Sequence, residues 1–89
     1  MEKNLTHQQE FFNWLPIGYM VEYTGQIIPA NFIEVDGQKL PKLKYNDVFT
    51  ILKGNVIDEG DFFILPKRKD LIDKFNTQNV KIILKLATD

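Results

Sequence analysis

The segment that says most about the fold is FIEVDGQKL, residues 32–40. Two short arms with β-forming side chains flank the pair Asp36-Gly37. An Asp-Gly pair supplies the positive φ angles that a tight two-residue turn requires. The pattern therefore predicts a small β-hairpin with its turn at Asp36-Gly37.

Before this hairpin, large apolar side chains alternate with other residues from Ile17 to Tyr23. A period of two is typical of a half-buried β-strand. Thr24-Gly25 and Pro29 then interrupt strand geometry. We expect a loop between this strand and the hairpin.

A short helix is predicted at the amino-terminal end. The segment Thr6-His7-Gln8-Gln9 fits a capping box, in which a side chain at each end satisfies a backbone N–H. Pro16 disfavours helical geometry in the residue before it, so the helix should stop near Leu15. This helix carries four large apolar residues: Phe11, Phe12, Trp14 and Leu15.

After the hairpin, four apolar residues recur at the spacing of one helix face: Tyr45, Val48, Phe49 and Leu52. This stripe predicts a helix that packs on the sheet. Gly54 is placed to end that helix in a left-handed cap.

The remaining residues predict two more strands separated by loops. Residues 55–61 should be a loop with an acidic run, and Phe62–Leu65 a buried strand that Pro66 ends. Residues 67–70 should be a solvated loop. Alternation over residues 80–86 predicts that the chain ends on a strand.

These elements predict an α+β fold, with a small, mainly antiparallel sheet, a β-hairpin and one or two short helices. We expect residues 1–15 to form an N-terminal helix that anchors or oligomerises the chain. Residues 16–89 should form a single domain, since no repeat or linker divides them.

Composition excludes several classes of protein. The 89 residues are 44% hydrophobic and include no cysteine, which excludes disulfides and thiolate zinc sites. No run approaches the roughly 18 apolar residues that cross a bilayer, and no signal-peptide pattern is present. We therefore expect synthesis in a cytoplasm and no membrane insertion.

Charge gives little support to nucleic-acid binding. The net charge is −1; residues 1–38 hold five acidic residues and one lysine, and residues 39–89 hold ten basic and seven acidic residues. Nucleic-acid-binding domains concentrate basic charge, whereas here the basic excess is spread among acidic residues. We expect no nucleic-acid partner.

An ordered set of turn formers and apolar residues covers roughly residues 16–66. Its members are Pro16-Ile17-Gly18, Gly25, Pro29 to Gly37, Tyr45 with Val48-Phe49, Leu52, Gly54, Gly60-Asp61, and Phe62 to Pro66. In order and spacing this set resembles the phage tail collar domain. Asn31-Phe32 stands where that family favours Gly-Trp, and Lys67-Arg68-Lys69 where it has Asp-x-Arg-Gly, so the chain after Pro66 should take another path.

The resemblance implies a structural part of a virus particle. In that family the domain sits within tail-fibre or baseplate proteins, commonly as trimers. It implies a tail collar, fibre-base or minor attachment component of a bacteriophage that assembles with other virion proteins. We expect location in the virion and a homo-oligomer, either a trimer or a larger ring.

The sequence offers no catalytic, cofactor or metal site. It contains no serine or cysteine nucleophile, and we expect no enzyme activity. His7 could be a metal ligand only around a symmetry axis, and we favour an exposed capping residue. Asp58-Glu59-Gly60-Asp61 lacks the spacing of a calcium loop, which favours a solvated turn. Glu34 and Asp36 could act as acid and base, but Asp36 is needed in its turn.

Two hypotheses remain open for the exposed surface. Three aromatic residues and one leucine, at Phe11, Phe12, Trp14 and Leu15, either fold back on the core or dock onto another subunit or virion protein. We predict docking, because a small domain has limited room to bury them.

The alternative function is a receptor- or carbohydrate-binding module displayed on the particle, with its site at Tyr19, Tyr23 or Asn31.

Overall fold

The computed structural model describes residues 7–72 and 80–88, with side chains for 11–71 and 80–88. Three α-helices and six strands lie within these residues. In chain order they are α1 (His7–Trp14), β1 (Met20–Tyr23), β2 (Phe32–Glu34), β3 (Lys39–Pro41), α2 (Asn46–Leu52), β4 (Ile57–Glu59), β5 (Phe62–Ile64), α3 (Arg68–Ile72) and β6 (Lys81–Lys85). The predicted α+β class is confirmed, while Thr6 of the predicted capping box lies outside the described residues.

The first sheet has the order β1-β6-β2, with both pairs antiparallel. Its central strand is β6. Met20 of β1 pairs with Leu84 of β6, and Phe32 of β2 pairs with Lys85 of β6. The predicted final strand is confirmed. Residues 82–85 are all buried, because each face of this strand is covered by a different layer of the fold.

The second sheet has the order β3-β5-β4 and is also antiparallel. β4 and β5 form a hairpin whose turn holds Gly60 at φ 82°. The loop predicted for residues 55–61 was therefore wrong over Ile57–Glu59, which form β4. β4 is only three residues long and all three are exposed, so no apolar period marks it in the sequence.

The predicted hairpin at residues 32–40 was wrong, although its turn is present. Gly37 has a φ of 78°, but β2 pairs with β6 and β3 pairs with β5, so the turn leads from one sheet to the other. The amide of Gln38 closes it by donating to the carbonyl oxygen of Glu34 and accepting from the N–H of Asp36, at 2.7 Å. The Asp-Gly pair fixed the position of the turn and not the pairing of its arms.

This crossover turn is joined to the chain that follows β5. The N–H of Gly37 donates to the Pro66 carbonyl at 2.9 Å, and the N–H of Leu65 donates to the Gln38 carbonyl at 3.0 Å. The carboxylate of Asp36 accepts from the N–H of Arg68 at 3.1 Å, so it caps the first residue of α3. The solvated loop predicted for residues 67–70 was wrong from Arg68 onward, because this distant cap supports a helical turn there.

Removing the Asp36 carboxylate should destabilise the contact between the turn at Asp36-Gly37 and the start of α3. We expect Asp36→Ala to lower the free energy of unfolding by about 1 kcal/mol, the usual value for a lost N-cap. Asp36→Asn keeps an acceptor oxygen and should stay close to wild type. Urea unfolding followed by far-ultraviolet circular dichroism compares them, and equal losses in both variants would contradict the capping role.

Two predicted boundaries also require correction. The strand predicted from Ile17 begins only at Met20, because Gly18 has a φ of 89° and the N–H of Tyr19 donates to the Pro16 carbonyl in a turn. The left-handed cap predicted at Gly54 is replaced by a short 3-10 turn over Lys53–Asn55. The stripe of α2 itself is confirmed, with Val48 and Leu52 buried.

The core lies in two clusters on opposite faces of the first sheet. One lies between that sheet, the second sheet and α2, and its buried members are Val35, Leu40, Val48, Leu52, Phe63, Leu65, Ile82 and Leu84. The other lies between the first sheet and α1, with Phe12, Leu15, Phe32 and Ile83. The run 62–65, predicted to be buried, alternates instead: Phe63 and Leu65 face the core while Phe62 is 41% exposed. The three layers are therefore α1, the first sheet, and the second sheet together with α2.

Candidate interaction surface

One face of α1 packs on the first sheet. Phe12 is 6% exposed and Leu15 is 9% exposed. The Phe12 ring meets the rings of Phe32 and Tyr23 edge-on, at centroid distances of 5.3 and 5.6 Å. Edge-to-face contacts at these distances add to the stabilisation from apolar burial. This face of α1 is therefore core.

A buried lysine fixes the end of α1. Lys85, at the end of β6, is 2% exposed, and its Nζ donates to the carbonyl oxygen of Phe12 at 2.7 Å. The Asn13 carbonyl oxygen is 3.5 Å away, and the Phe32 ring centroid lies 5.4 Å from the same Nζ. The last carbonyls of a helix have no intrahelical partner and carry partial negative charge, which a cation satisfies. Lys85 thus holds the carboxyl end of α1 on the sheet.

The side of α1 next to this face carries two exposed aromatic residues, although the Phe11 ring also meets the Phe12 ring edge-on at 5.5 Å. Phe11 is 53% exposed and Trp14 is 85% exposed. They are three positions apart and so lie on the same side of the helix. Of the four residues predicted to dock, Phe12 and Leu15 are instead committed to the core, because they face the sheet. The predicted interface is reduced to Phe11 and Trp14.

An open groove of about 470 Å³ begins two residues beyond Trp14. Its walls come from the turn after α1, from α2 and from the end of the chain. They are Pro16, Ile17, Asp47, Thr50, Ile51 and Thr88. Sequence reasoning missed this groove, because its three walls are at least 30 positions apart in the sequence and no local period joins them.

Gly18 allows α2 to come close to the turn that follows α1. A Cβ added to Gly18 would lie 2.7 Å from Cγ2 of Ile51, and the φ of 89° is one that other residues rarely adopt. The N–H of Gly18 also donates to the Lys85 carbonyl at 2.9 Å. Glycine is therefore required where Ile51 borders the groove.

A second apolar surface lies on the outer face of the second sheet. Ile57 is 60% exposed and Phe62 is 41% exposed. Lys39 and Glu59 form an ion pair of 3.4 Å on this face, with Lys39 Nζ at 5.5 Å from the Phe62 ring centroid. Charged side chains on an exposed sheet discourage association with other chains. The α1 surface is the better candidate for docking.

The acidic run at residues 58–61 forms the turn of the β4–β5 hairpin. Asp58 accepts hydrogen bonds from Lys42 Nζ and, at 3.0 Å, from the N–H of Gly60. The bond from Lys42 is the main reason that the pKa of Asp58 lies below its usual value of 3.8. Among the side chains of residues 11–71 and 80–88, no three of His, Cys, Asp or Glu come together in a way that could hold a metal ion.

Of the residues considered for sugar binding, Tyr23 is held by contacts within the fold. Tyr23 packs against Phe12, and its hydroxyl donates to the Ile27 carbonyl at 2.5 Å. Tyr19 is 51% exposed, and Asn31 is partly buried in a turn with a φ of 69°. The side chain of His7 is not among those that the structure describes. Glu34 is the last residue of β2, whereas Asp36 lies in the turn that follows this strand.

Two further findings bear on function. Within the part of the chain that the structure describes, no helix has the length and apolar character needed to span a bilayer. No family model matches the chain, and neither a curated protein nor a solved structure matches it.

Proposed function

We propose that this chain is a structural component of a phage particle, at the tail collar, the fibre base or a minor attachment position. It acts by protein–protein assembly and catalyses no reaction. The resemblance of residues 16–66 to the tail collar domain supports the class of protein. The surface of α1 supports the mode of action.

The observation that carries the proposal is the outward position of Phe11 and Trp14 on an anchored helix. Lys85 and the buried pair Phe12 and Leu15 fix the orientation of α1, so the two exposed rings cannot turn inward without breaking these contacts. Tryptophan is among the residues that most often dominate binding energy at protein interfaces. An exposed pair of large aromatic rings on a rigid support is suited to docking on another protein.

The partners we propose are other virion proteins and further copies of this chain, in a trimer or larger ring. The virion is the proposed location. Closed symmetric assembly is the usual form of soluble homo-oligomers and would present several copies of α1 around one axis. Each copy then contributes the same pair of rings.

The double variant Phe11→Ala, Trp14→Ala should dissociate the assembly and leave the fold intact. Loss of two interface anchors at about 2 kcal/mol each weakens association by roughly 1,000-fold. Light scattering over a range of concentrations should show the wild-type mass above 10.4 kDa and the variant at the chain mass. Trp14 is 85% exposed, whereas Phe11 is 53% exposed and its ring meets that of Phe12 edge-on at 5.5 Å, so the midpoint of denaturant unfolding should fall only slightly while the transition stays cooperative.

Leu43→Ala is the matched control, because Leu43 is 94% exposed and lies away from α1 in the chain. It should associate as the wild type does. A wild-type chain that stays monomeric at every concentration would refute self-assembly. A double variant that loses its fold would show that the two rings serve the core, contrary to the proposal.

A further inference from the structure

We propose that the Asp36-Gly37 bond is a site of spontaneous isomerisation to isoaspartate, and that the crossover turn suppresses this reaction in the folded chain. The sequence contains no other Asp-Gly pair and no Asn-Gly pair. Because glycine has no Cβ beside its backbone nitrogen, an aspartate rearranges more readily before glycine than before other residues. The inference does not depend on the proposed assembly function.

The reaction needs no enzyme and no co-reactant other than water. The backbone nitrogen of Gly37 forms a bond to Cγ of Asp36, and the amide hydrogen leaves with the carboxyl hydroxyl group as water. The product is a cyclic succinimide, which a water molecule then opens at either carbonyl. Opening at Cγ restores aspartate. Opening at the backbone carbonyl leaves the chain running through Cβ and Cγ, which is isoaspartate.

The nitrogen that would attack is engaged in the crossover. The N–H of Gly37 donates to the Pro66 carbonyl at 2.9 Å, and this bond must break before the hydrogen can leave. Beside it, the N–H of Leu65 donates to the Gln38 carbonyl at 3.0 Å, so the turn and the chain after β5 hold each other at two points. Attack on Cγ of Asp36 therefore requires the turn to separate from residues 65–66.

The carboxyl group that would be attacked is held as well. Oδ1 of Asp36 accepts from the N–H of Arg68 at 3.1 Å, and the N–H of Asp36 donates to Oε1 of Gln38 at 2.7 Å. The Gln38 amide also donates to the Glu34 carbonyl oxygen. Ring closure changes the torsion angles of Asp36 about its Cα–C and Cα–Cβ bonds, and these hydrogen bonds restrain both.

Isomerisation at this position would weaken the connection between the two sheets. Isoaspartate adds one atom to the backbone between Asp36 and Gly37, and β2 and β3 leave this turn for different sheets. The added atom would displace the N–H of Gly37 from the Pro66 carbonyl and the carboxylate from the N–H of Arg68. The crossover is thus the place where chemical ageing would damage the fold, and the fold itself delays that damage.

Isoaspartate content after incubation at neutral pH, in native buffer and in urea that unfolds the chain, tests the inference by peptide mapping. The net contribution of one hydrogen bond corresponds to a factor of roughly 2–12 in an equilibrium. Three such bonds at Asp36 and Gly37 should make the reaction at least about 10-fold slower in the folded chain. A peptide of residues 32–41 cannot contact Pro66 or Arg68, so its rates calibrate the effect of urea. Equal calibrated rates for the folded and unfolded chain would overturn the proposal, as would an unfolded chain that forms no isoaspartate.

A variant of the turn tests the gating directly. Gln38→Ala removes the amide that closes the turn and should raise the rate in native buffer by roughly 5-fold or more, since two hydrogen bonds are lost. Gln26→Ala is the matched control, because Gln26 is exposed in the loop before β2, and it should keep the wild-type rate. A folded Gln38→Ala chain with the wild-type rate would show that the turn does not gate the reaction. Circular dichroism checks folding, and Gln38→Glu replaces Gln38→Ala if that chain is unfolded.

Discussion

Replacing Lys85 with glutamate should remove most of the stability of the domain. The new carboxylate would lie 2% exposed against carbonyl oxygens at the carboxyl end of α1, where the helix dipole is negative. An uncompensated buried charge costs about 3–5 kcal/mol. A domain of 89 residues is stable by roughly 4–13 kcal/mol in total. We expect the cooperative transition in urea to move to much lower concentration or to disappear.

Two controls separate charge from packing at this site. Lys85→Met keeps a long apolar stem and removes only the donor, so the loss should be about 1.5–3 kcal/mol, the range for a hydrogen bond to a charged group. Lys81→Glu changes the same residue type on the same strand, at a position that is only partly buried. Its Nζ donates to the Gly25 carbonyl oxygen at 3.1 Å, so the substitution should cost about 1–3 kcal/mol, which is less than Lys85→Glu because water reaches this position. Equal unfolding midpoints for Lys85→Glu and Lys81→Glu would show that Lys85 does not hold α1.

Lys85 also links the fold to the proposed assembly. Lys85→Met should loosen α1 from the sheet while most of the domain stays folded, since the two sheets and α2 share a separate cluster of buried residues. The direction in which Phe11 and Trp14 point would then no longer be fixed. Interfaces lose affinity when their anchor residues are not preorganised.

Replacing Phe63 with alanine should cost about 3–5 kcal/mol, the usual range for a buried phenylalanine in a core. Phe63 lies on the central strand of the second sheet and is completely buried. Its ring centroid is 5.3 Å from that of Phe49 in α2. The cavity would open where the second sheet meets α2, so both should be destabilised together. Denaturant unfolding followed by circular dichroism measures the loss.

The neighbouring residue provides a matched control for Phe63. Phe62 is 41% exposed on the outer face of the same strand, and Phe62→Ala removes the same atoms. We expect a cost of about 1–2 kcal/mol, smaller than that of Phe63→Ala because only part of the Phe62 side chain is buried and no cavity opens in the core. Similar losses of unfolding free energy for the two variants would contradict the alternation of buried and exposed side chains along β5. They would favour the fully buried strand that the sequence predicts.

Part of the candidate site could be found from the sequence. The helix with Phe11 and Trp14 was predicted, because a capping pattern and a proline mark its ends. Which aromatic residues face outward was not predicted, since four apolar residues in five positions leave no clear polar face. The groove was missed because Gly18 and Ile51 meet only through the packing of α2 against the turn after α1.

By itself the sequence determined the α+β class, the positions of α1 and α2, the final strand, and a turn with positive φ at Gly37. These features depend on side chains within a few residues, where period and turn chemistry act directly. Only the tertiary structure decided that β2 and β3 join different sheets and that Lys85 is buried. The partners of these residues lie as much as 73 positions away, at Phe12 in the case of Lys85. The free energy of strand pairing and of burial comes from such distant contacts, which no local pattern records.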